Sequence, residues 1–307
     1  MPCRAEGRTF LLTILALVTG CAAPPAVDAD AYYNIHATQT TAKQGSVVIL
    51  HINPVGQFNG SEPPPVAKFN NETYKAFPVS RDAASDKDAA GVTTSEAGPV
   101  SYRAFVSVPV LLKPGAYKIS VGQTAVPINV VWGGFGLQHL RLPPGKDNFV
   151  SSPGEEETVD KARHTVSPEK FWTGKFQTPS AARVSSTFGV RRMVNGKLLD
   201  DYFHSGIDYA GGYGSPVKAT QAGRILIAHT GWRLHGGTVA IDHGQGVVSF
   251  YIHMSKLLVK EGQTVAAGQE IGKIGATGRA SGPHLHFSLY VSGNATNPNY
   301  WYQNAVQ

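Results

Sequence analysis

The frequency of chain-turning residues is the feature that most restricts the fold. The 307 residues include 34 Gly and 20 Pro, roughly one residue in six against about one in eight in average proteins. Between them lie short apolar runs rich in Val, Ile, Tyr and Phe, which favour β-strands. Charged residues make up only 16% of the chain, too few for a coiled coil or a helical bundle. The sequence therefore predicts an all-β protein, and its length allows two domains.

The N-terminus has the pattern of a secretory signal. Arg4 and Arg8 precede an apolar run over residues 10–18, which is too short for a stable membrane span. Val-Thr-Gly at 18–20 leads into Cys21, and this tetrapeptide resembles the bacterial lipoprotein box, whose cysteine becomes lipidated after cleavage. An ordinary signal cleaved near residues 22–23, with an incidental cysteine, is the alternative. We predict lipidation at Cys21 and an outer-membrane lipoprotein on the periplasmic face of the cell envelope.

The rest of the chain divides by its local patterns. Strand-like runs separated by Gly/Pro turns predict a small N-terminal β-sandwich, with an exposed polar loop over 82–96. In the connector, residues 155–163 have acidic side chains first and basic ones last, which favours a short helix. Antiparallel strand patterns then continue to the end. The predicted segments are a signal peptide 1–20, a tether 21–31, an N-terminal β-domain 32–133, a connector 134–176 and a C-terminal domain 177–307.

The positive charge is concentrated in the C-terminal domain. The whole chain carries a formal charge of +6, and residues 177–307 contain 11 basic but only 6 acidic side chains. This excess favours an anionic partner. Neither a Lys/Arg-rich helix nor an aromatic run typical of RNA-binding sheets accompanies it. We therefore predict no nucleic-acid partner.

Four of the eleven histidines stand out by their spacing. His284 and His286 precede a strand-like run, and side chains two apart on a strand share a face. His204 and Asp208 come from one turn-rich segment, and His253 ends another predicted strand. Two imidazoles and a carboxylate, with one coordination position left open, are typical of a catalytic zinc site. The remaining histidines, among them His229, His235 and His243, are scattered and favour ordinary surface or core roles.

Residues 183–302 resemble the lysostaphin/LytM-type zinc metallopeptidases, which cut peptidoglycan peptides. The similar stretches include Val184–Arg192, His204–Asp208, Tyr251–Met254, Glu261–Gly272 and Gly275–Phe287. They cover about 120 residues of the chain. The N-terminal part resembles, more weakly, the β-domain that precedes this catalytic domain in some Gram-negative members.

The resemblance implies a role for each site residue. It implies that His204, Asp208 and His286 hold one Zn²⁺ in the C-terminal domain. His253 and His284 are then catalytic residues that flank the attacking water as base and as stabiliser of the tetrahedral intermediate. Tyr202, just before His204, is a candidate oxyanion donor, with an exposed loop tyrosine as the alternative.

The expected function is zinc-dependent hydrolysis of cross-link peptide bonds in peptidoglycan. The expected partners are peptidoglycan and, through the lipid anchor, a membrane; a regulatory protein partner is left open. A non-catalytic lipoprotein of the same fold, which binds the wall or activates other wall hydrolases, is one alternative. A latent enzyme inhibited by residues 32–150 is another. The bond that is cut is left open between a D-Ala–meso-diaminopimelate cross-link and a Gly–Gly bridge.

Overall fold

The computed structural model describes residues 33–55, 63–79, 101–143, 150–199 and 202–305. The predicted signal peptide, Cys21, the tether and the loop over 82–96 lie outside these ranges. Within them there are two short helices among twenty-two strands, so the all-β fold class is confirmed. Neither helix is long and apolar enough to cross a membrane.

The N-terminal part is one eight-stranded sheet whose two halves enclose a common core. The spatial order is β1-β3-β6-β5-β4-β7-β8-β2, and the pair β2–β8 is parallel. Leu50 and Ile52 from one half pack in the same cluster as Ile119 and Ile128 from the other. The strands are β1 (Tyr33–Ala37), β2 (Thr41–Lys43), β3 (Val47–Pro54), β4 (Val66–Phe69), β5 (Glu72–Val79), β6 (Ser101–Ser107), β7 (Gly115–Val121) and β8 (Thr124–Val131).

The connector contributes one strand and one helix. Strand β9 (Leu137–Leu140) was not expected, and helix α1 (Glu155–Arg163) covers the predicted helical segment. Three glutamates in the first turn of α1, with Lys161 and Arg163 in its last, complement the helix dipole. Strand β9 pairs in parallel with β11 (Arg191–Val194). The connector is therefore built into the C-terminal part through a strand ladder.

A second eight-stranded sheet, entirely antiparallel, forms the centre of the C-terminal part. Its order is β10-β13-β21-β17-β16-β15-β19, with β22 paired to β21. Two three-stranded sheets, β12-β11-β9 and β14-β20-β18, flank it. The remaining elements are β10 (Arg183–Ser186), β12 (Lys197–Leu198), β13 (Gly206–Ala210), β14 (Pro216–Lys218), β15 (Gly223–His229), β16 (Gly237–Gly244), β17 (Val247–Met254), β18 (Lys256–Leu257), β19 (Thr264–Val265), β20 (Glu270–Lys273), β21 (Leu285–Val291), β22 (Asn294–Thr296) and α2 (Pro298–Gln303).

The two large sheets share part of one hydrophobic core. Phe105 from the first sheet lies 5.8 Å from Trp172 and 6.1 Å from Trp301, measured between ring centroids. These rings are nearly fully buried and belong to the same cluster as the centre of the second sheet. Nearby, Arg103 donates from Nη2 to Gln245 Oε1 at 3.0 Å. Aromatic packing of this kind fixes the first sheet against the second.

Candidate metal centre and catalytic cleft

Strand pairing places the predicted metal ligands side by side. Asp208 on β13 is the register partner of His286 on β21, so their side chains lie next to each other on neighbouring strands of the sheet. His204 lies two residues before β13 and is fully buried. Between them, Gly206 crosses so close to β21 that a Cβ there would collide with the Phe287 carbonyl oxygen. A glycine is therefore required at position 206 for β13 to bring His204 and Asp208 close to His286 on β21.

Three donor atoms converge on one point. His204 Nε2 lies 2.9 Å from Asp208 Oδ1 and 2.8 Å from His286 Nδ1, and His286 Nδ1 lies 2.8 Å from Asp208 Oδ1. These three residues form the metal-binding group found in the described part of the chain. Two imidazole nitrogens and one carboxylate oxygen, all buried, match the donor set of a catalytic zinc site. The predicted ligands therefore fit zinc.

Hydrogen bonds behind the ligands set their orientation. His204 Nδ1 donates to the Thr187 carbonyl at 2.8 Å, which leaves the Nε2 lone pair facing Asp208 and His286. His286 Nε2 lies 2.7 Å from Ser288 Oγ, and Asp208 Oδ2 accepts from Arg192 Nη2 at 2.9 Å. Such supporting contacts fix the tautomer and direction of metal ligands. Arg192 was not assigned a role from sequence, although it ends one of the stretches that carried the resemblance.

The electrostatics of Asp208 and His286 favour the protonation states in which these two side chains bind a metal. Burial alone would raise the pKa of Asp208, but His204 and His286 outweigh it and hold that pKa well below its usual range. Burial lowers the pKa of His286 to about 4, against the opposing effect of Asp208. The carboxylate is thus ionised and the imidazole neutral at pH 7, as metal coordination requires.

The two predicted catalytic histidines lie beside the ligands. The ring centroid of His253 is 4.8 Å from that of His284 and 6.4 Å from that of His286. His253 Nδ1 donates to the Thr277 carbonyl and His284 Nδ1 to the Gly282 carbonyl, each at 2.9 Å. Burial, then the neighbouring His284 and His286, hold the pKa of His253 well below its usual range. A neutral His253 has its unprotonated Nε2 available as a base.

Tyr202 is half-buried in the same cleft, and its hydroxyl lies close to an arginine. Arg192 Nη1 donates to the Tyr202 hydroxyl at 3.3 Å, and its guanidinium carbon lies 5.8 Å from the centroid of the phenol ring. A hydroxyl that accepts from a cation keeps its own proton for donation to a ligand. Its role at an oxyanion stays a prediction.

The cleft that contains these residues has a volume of about 450 Å³ and is not built by the C-terminal part alone. Gln138, Leu140 and Leu142 line it from β9 and the residues after it, and Glu156 lines it from α1. Gln138 Oε1 also accepts from Ser186 Oγ at 3.2 Å. Sequence reasoning missed these connector residues because isolated polar and apolar side chains after a turn carry no spacing signal.

Comparison with known families identifies the C-terminal part. Residues 202–298, which include every predicted ligand and catalytic residue, match the model of peptidase family M23. The chain contains an M23 peptidase domain. The resemblance to lysostaphin/LytM-type peptidases is thereby confirmed at the level of the family.

Individual proteins similar to this domain are named for roles in peptidoglycan hydrolysis or its activation. Peptidoglycan DD-endopeptidase ShyA of Vibrio cholerae is 39% identical over 128 residues, which are 40% of this chain and 28% of that protein. Murein hydrolase activator NlpD of Salmonella dublin is 34% identical over 128 residues, 39% of this chain and 34% of that protein. The chain thus matches only about a quarter to a third of the length of these curated relatives.

A solved structure extends the likeness beyond the M23 domain. A peptidase M23 structure from Pseudomonas aeruginosa superposes with a TM-score of 0.58 at 26% identity, over 86% of this chain and 95% of that one. A likeness over this much of the chain includes strands of the N-terminal sheet. The fold likeness to that protein therefore extends from the M23 domain into the N-terminal part of this chain.

Proposed function

We propose that the protein is a zinc-dependent endopeptidase that hydrolyses cross-link peptide bonds of peptidoglycan. The observation that carries the proposal is the convergence of three buried donor atoms, from His204, Asp208 and His286, beside two further histidines in one cleft. One Zn²⁺ per domain would be held by these three residues. A structural zinc site would be closed by a fourth protein ligand, whereas this donor set leaves a position for substrate or water.

The residues around the donor atoms account for the proton transfers of amide hydrolysis. Zinc, when bound, supplies the Lewis acid that polarises the scissile carbonyl and acidifies water. His253 Nε2 accepts the proton of the attacking water as the C–O bond forms, and returns it to the amine nitrogen as the C–N bond breaks. The Tyr202 hydroxyl donates a hydrogen bond to the carbonyl oxygen as negative charge develops there and keeps its proton throughout. His284, whose ring lies beside that of His253, is the second group that stabilises this charge.

The relatives and the charge of the chain support one class of substrate. ShyA is a peptidoglycan DD-endopeptidase by name, and such an enzyme cuts between two D-configured centres. We therefore favour the D-Ala–meso-diaminopimelate cross-link over a Gly–Gly bridge. The excess of basic residues over 177–307 suits an anionic, carboxylate-bearing wall.

We further propose that the protein acts at the periplasmic face of the cell envelope. The signal-like residues 1–20 and Cys21 support a lipid anchor in the outer membrane. The predicted tether over 21–31 also supports it, because a linker of this length can separate a domain from a lipid surface.

An activator of other wall hydrolases is the second candidate, because NlpD, an activator by name, is 34% identical over 128 residues. The two functions differ in whether the zinc site turns over substrate. The intact set of ligands and catalytic histidines favours the enzyme.

The test is digestion of intact peptidoglycan by the zinc-loaded chain from residue 22 onward, with the muropeptides identified by mass. We expect loss of cross-linked dimers, which names the bond cut. His286→Ala should lose both zinc and activity, and His253→Ala should keep one equivalent of zinc but lose about 10²–10⁴-fold in rate, the usual contribution of a general base. His36→Ala, an exposed histidine on the first sheet, is the matched control.

Two results would contradict the proposal. Full activity in both His286→Ala and His253→Ala would show that the site is assigned wrongly. A wild type that binds one equivalent of zinc, leaves dimers intact and stimulates a second hydrolase would establish the activator instead.

A further inference from the structure

A second carboxylate–imidazole pair lies in the wall of the cleft, outside the metal site. Glu155, the first residue of α1, is fully buried. Its Oε1 lies 2.7 Å from His235 Nδ1 and 2.7 Å from the His235 backbone nitrogen. Leu234 N donates to the same oxygen at 3.1 Å, and Ser152 N donates to Oε2 at 2.6 Å. Four N–H donors thus surround one carboxylate.

These donors keep the buried carboxylate ionised. Burial by itself would raise the pKa of Glu155, but the N–H groups of Ser152, His235 and Leu234 outweigh it and lower that pKa to about 2. A glutamate in the first turn of a helix interacts favourably with the helix dipole without being buried. Glu156 and Glu157 occupy the same first turn and remain exposed. The burial of Glu155 therefore serves the contact with residues 234 and 235.

The contact fixes the direction of the His235 ring. Its Nδ1 edge faces the buried carboxylate, which places Nε2 on the opposite edge of the ring, and 17% of the side chain is exposed. His235 and Leu234 both line the cleft, on the side where Glu156 of α1 also reaches it. An imidazole that donates from Nδ1 can, in its neutral tautomer, accept a hydrogen bond from a ligand at Nε2.

The same loop also supports His253. The His253 backbone N–H donates to the His235 carbonyl at 2.9 Å. His253 has φ of +66°, in the left-handed region that is costly for a residue with a side chain. Arg279, another residue of the cleft wall, donates from its backbone to the Leu234 carbonyl at 2.9 Å. Residues 232–236 therefore link the connector helix to the strained backbone of the base.

We propose that His235 is a substrate-binding residue of the cleft, accepting a peptide N–H of the substrate at Nε2, and that Glu155 is the positioning residue that holds it. This inference rests on the proposed function, since the ligand is the peptide that the enzyme cuts. Glu155 lies outside the matched residues 202–298, so the working catalytic unit extends into the connector.

The test is steady-state hydrolysis of a purified cross-linked muropeptide dimer by the full-length chain in detergent. For His235→Ala we expect KM to rise about 5–10-fold, the loss of one hydrogen bond, with kcat within about twofold of wild type. For Glu155→Gln we expect KM to rise and kcat to fall together, because both His235 and the His253 backbone lose their support. His36→Ala and Glu157→Gln, both exposed, are the matched controls.

Zinc content and the thermal midpoint are measured on every variant. A merely structural role for the pair would lower the midpoint of His235→Ala and leave its KM unchanged, and that result would overturn the inference. If Glu155→Gln does not fold, the KM of His235→Ala still decides whether His235 binds the substrate. A wild type that neither binds nor cleaves the dimer would overturn the proposed function, whereas a cleaving wild type beside an unaffected His235→Ala would overturn this inference alone.

Discussion

The buried carboxylate of Glu155 makes the stability of the protein depend on pH in a way that can be calculated. Its pKa is about 2 in the folded protein against a reference value of 4.5. A folded pKa below the unfolded one means that the contribution to stability is fully present well above pH 4.5, the unfolded pKa. It is lost as the pH falls toward 2, because the unfolded chain takes up the proton first. The 2.5-unit difference corresponds to about 3 kcal/mol in full.

The part of this loss of stability that we propose to measure lies between pH 6 and pH 3.5. Above pH 6 almost none of the contribution is lost, and at pH 3.5 linkage gives a loss of about 1.4 kcal/mol. Glu155→Gln removes the titrating group while keeping its volume. We therefore expect the difference in unfolding free energy between wild type and Glu155→Gln to shrink by about 1.4 kcal/mol over this range. Guanidinium denaturation at pH 6, 5, 4 and 3.5 measures it.

The control is Glu157→Gln, in which an exposed carboxylate of the same helix turn is neutralised. The difference in unfolding free energy between this variant and wild type should stay constant with pH to within about 0.5 kcal/mol, as expected for a surface substitution. Two results would refute the reasoning. One is a difference in unfolding free energy between wild type and Glu155→Gln that stays the same from pH 6 to pH 3.5. The other is a difference between wild type and Glu157→Gln that changes with pH as steeply as the one predicted for Glu155→Gln.

Three further outcomes are expected. Phe105→Ala, which removes the ring between Trp172 and Trp301, should lower the unfolding free energy by about 3–5 kcal/mol in chemical denaturation; a loss under 1 kcal/mol would show that the sheets are not held by this core. Arg192→Met should weaken zinc binding about 10–100-fold in a competition titration, because Asp208 loses its buried donor; unchanged affinity would contradict that support. Removal of zinc by a chelator should lower the melting temperature, and zinc should restore it, in scanning calorimetry; an identical melting temperature with and without zinc would contradict binding to the folded state.

Short-range patterns in the sequence predicted the parts of the site that depend on spacing along one strand or helix. Because His284 and His286 share one face of the strand, Leu285 between them lies on the opposite face, where it is fully buried in the core. The charge order over 155–163 predicted α1, whose dipole favours that order. In both cases, the geometry that matters is set within a few residues.

The contacts that the sequence did not indicate all join distant segments. The parallel pairing of β9 with β11 depends on how the connector passes over the C-terminal part, and parallel partners need no common pattern. Glu155 was placed in a helix by its charge, but its burial against His235 depends on a loop eighty residues away. His235 had no neighbouring histidine at a ligand spacing. Its role therefore became visible only through its bond to a buried carboxylate.

The position of the first sheet bears on how the proposed enzyme could be kept latent. Among the described residues, those of 33–131 do not line the cleft, whereas Gln138, Leu140 and Leu142 of the connector do. The described strands of the first sheet are held by the core that Phe105 shares with Trp172 and Trp301, and moving these strands over the cleft would expose the rings at a cost of several kcal/mol. The connector needs no such separation, because its residues already form one wall. We therefore expect the first sheet to act as a fixed scaffold, and control of access to act through residues 137–142 and α1.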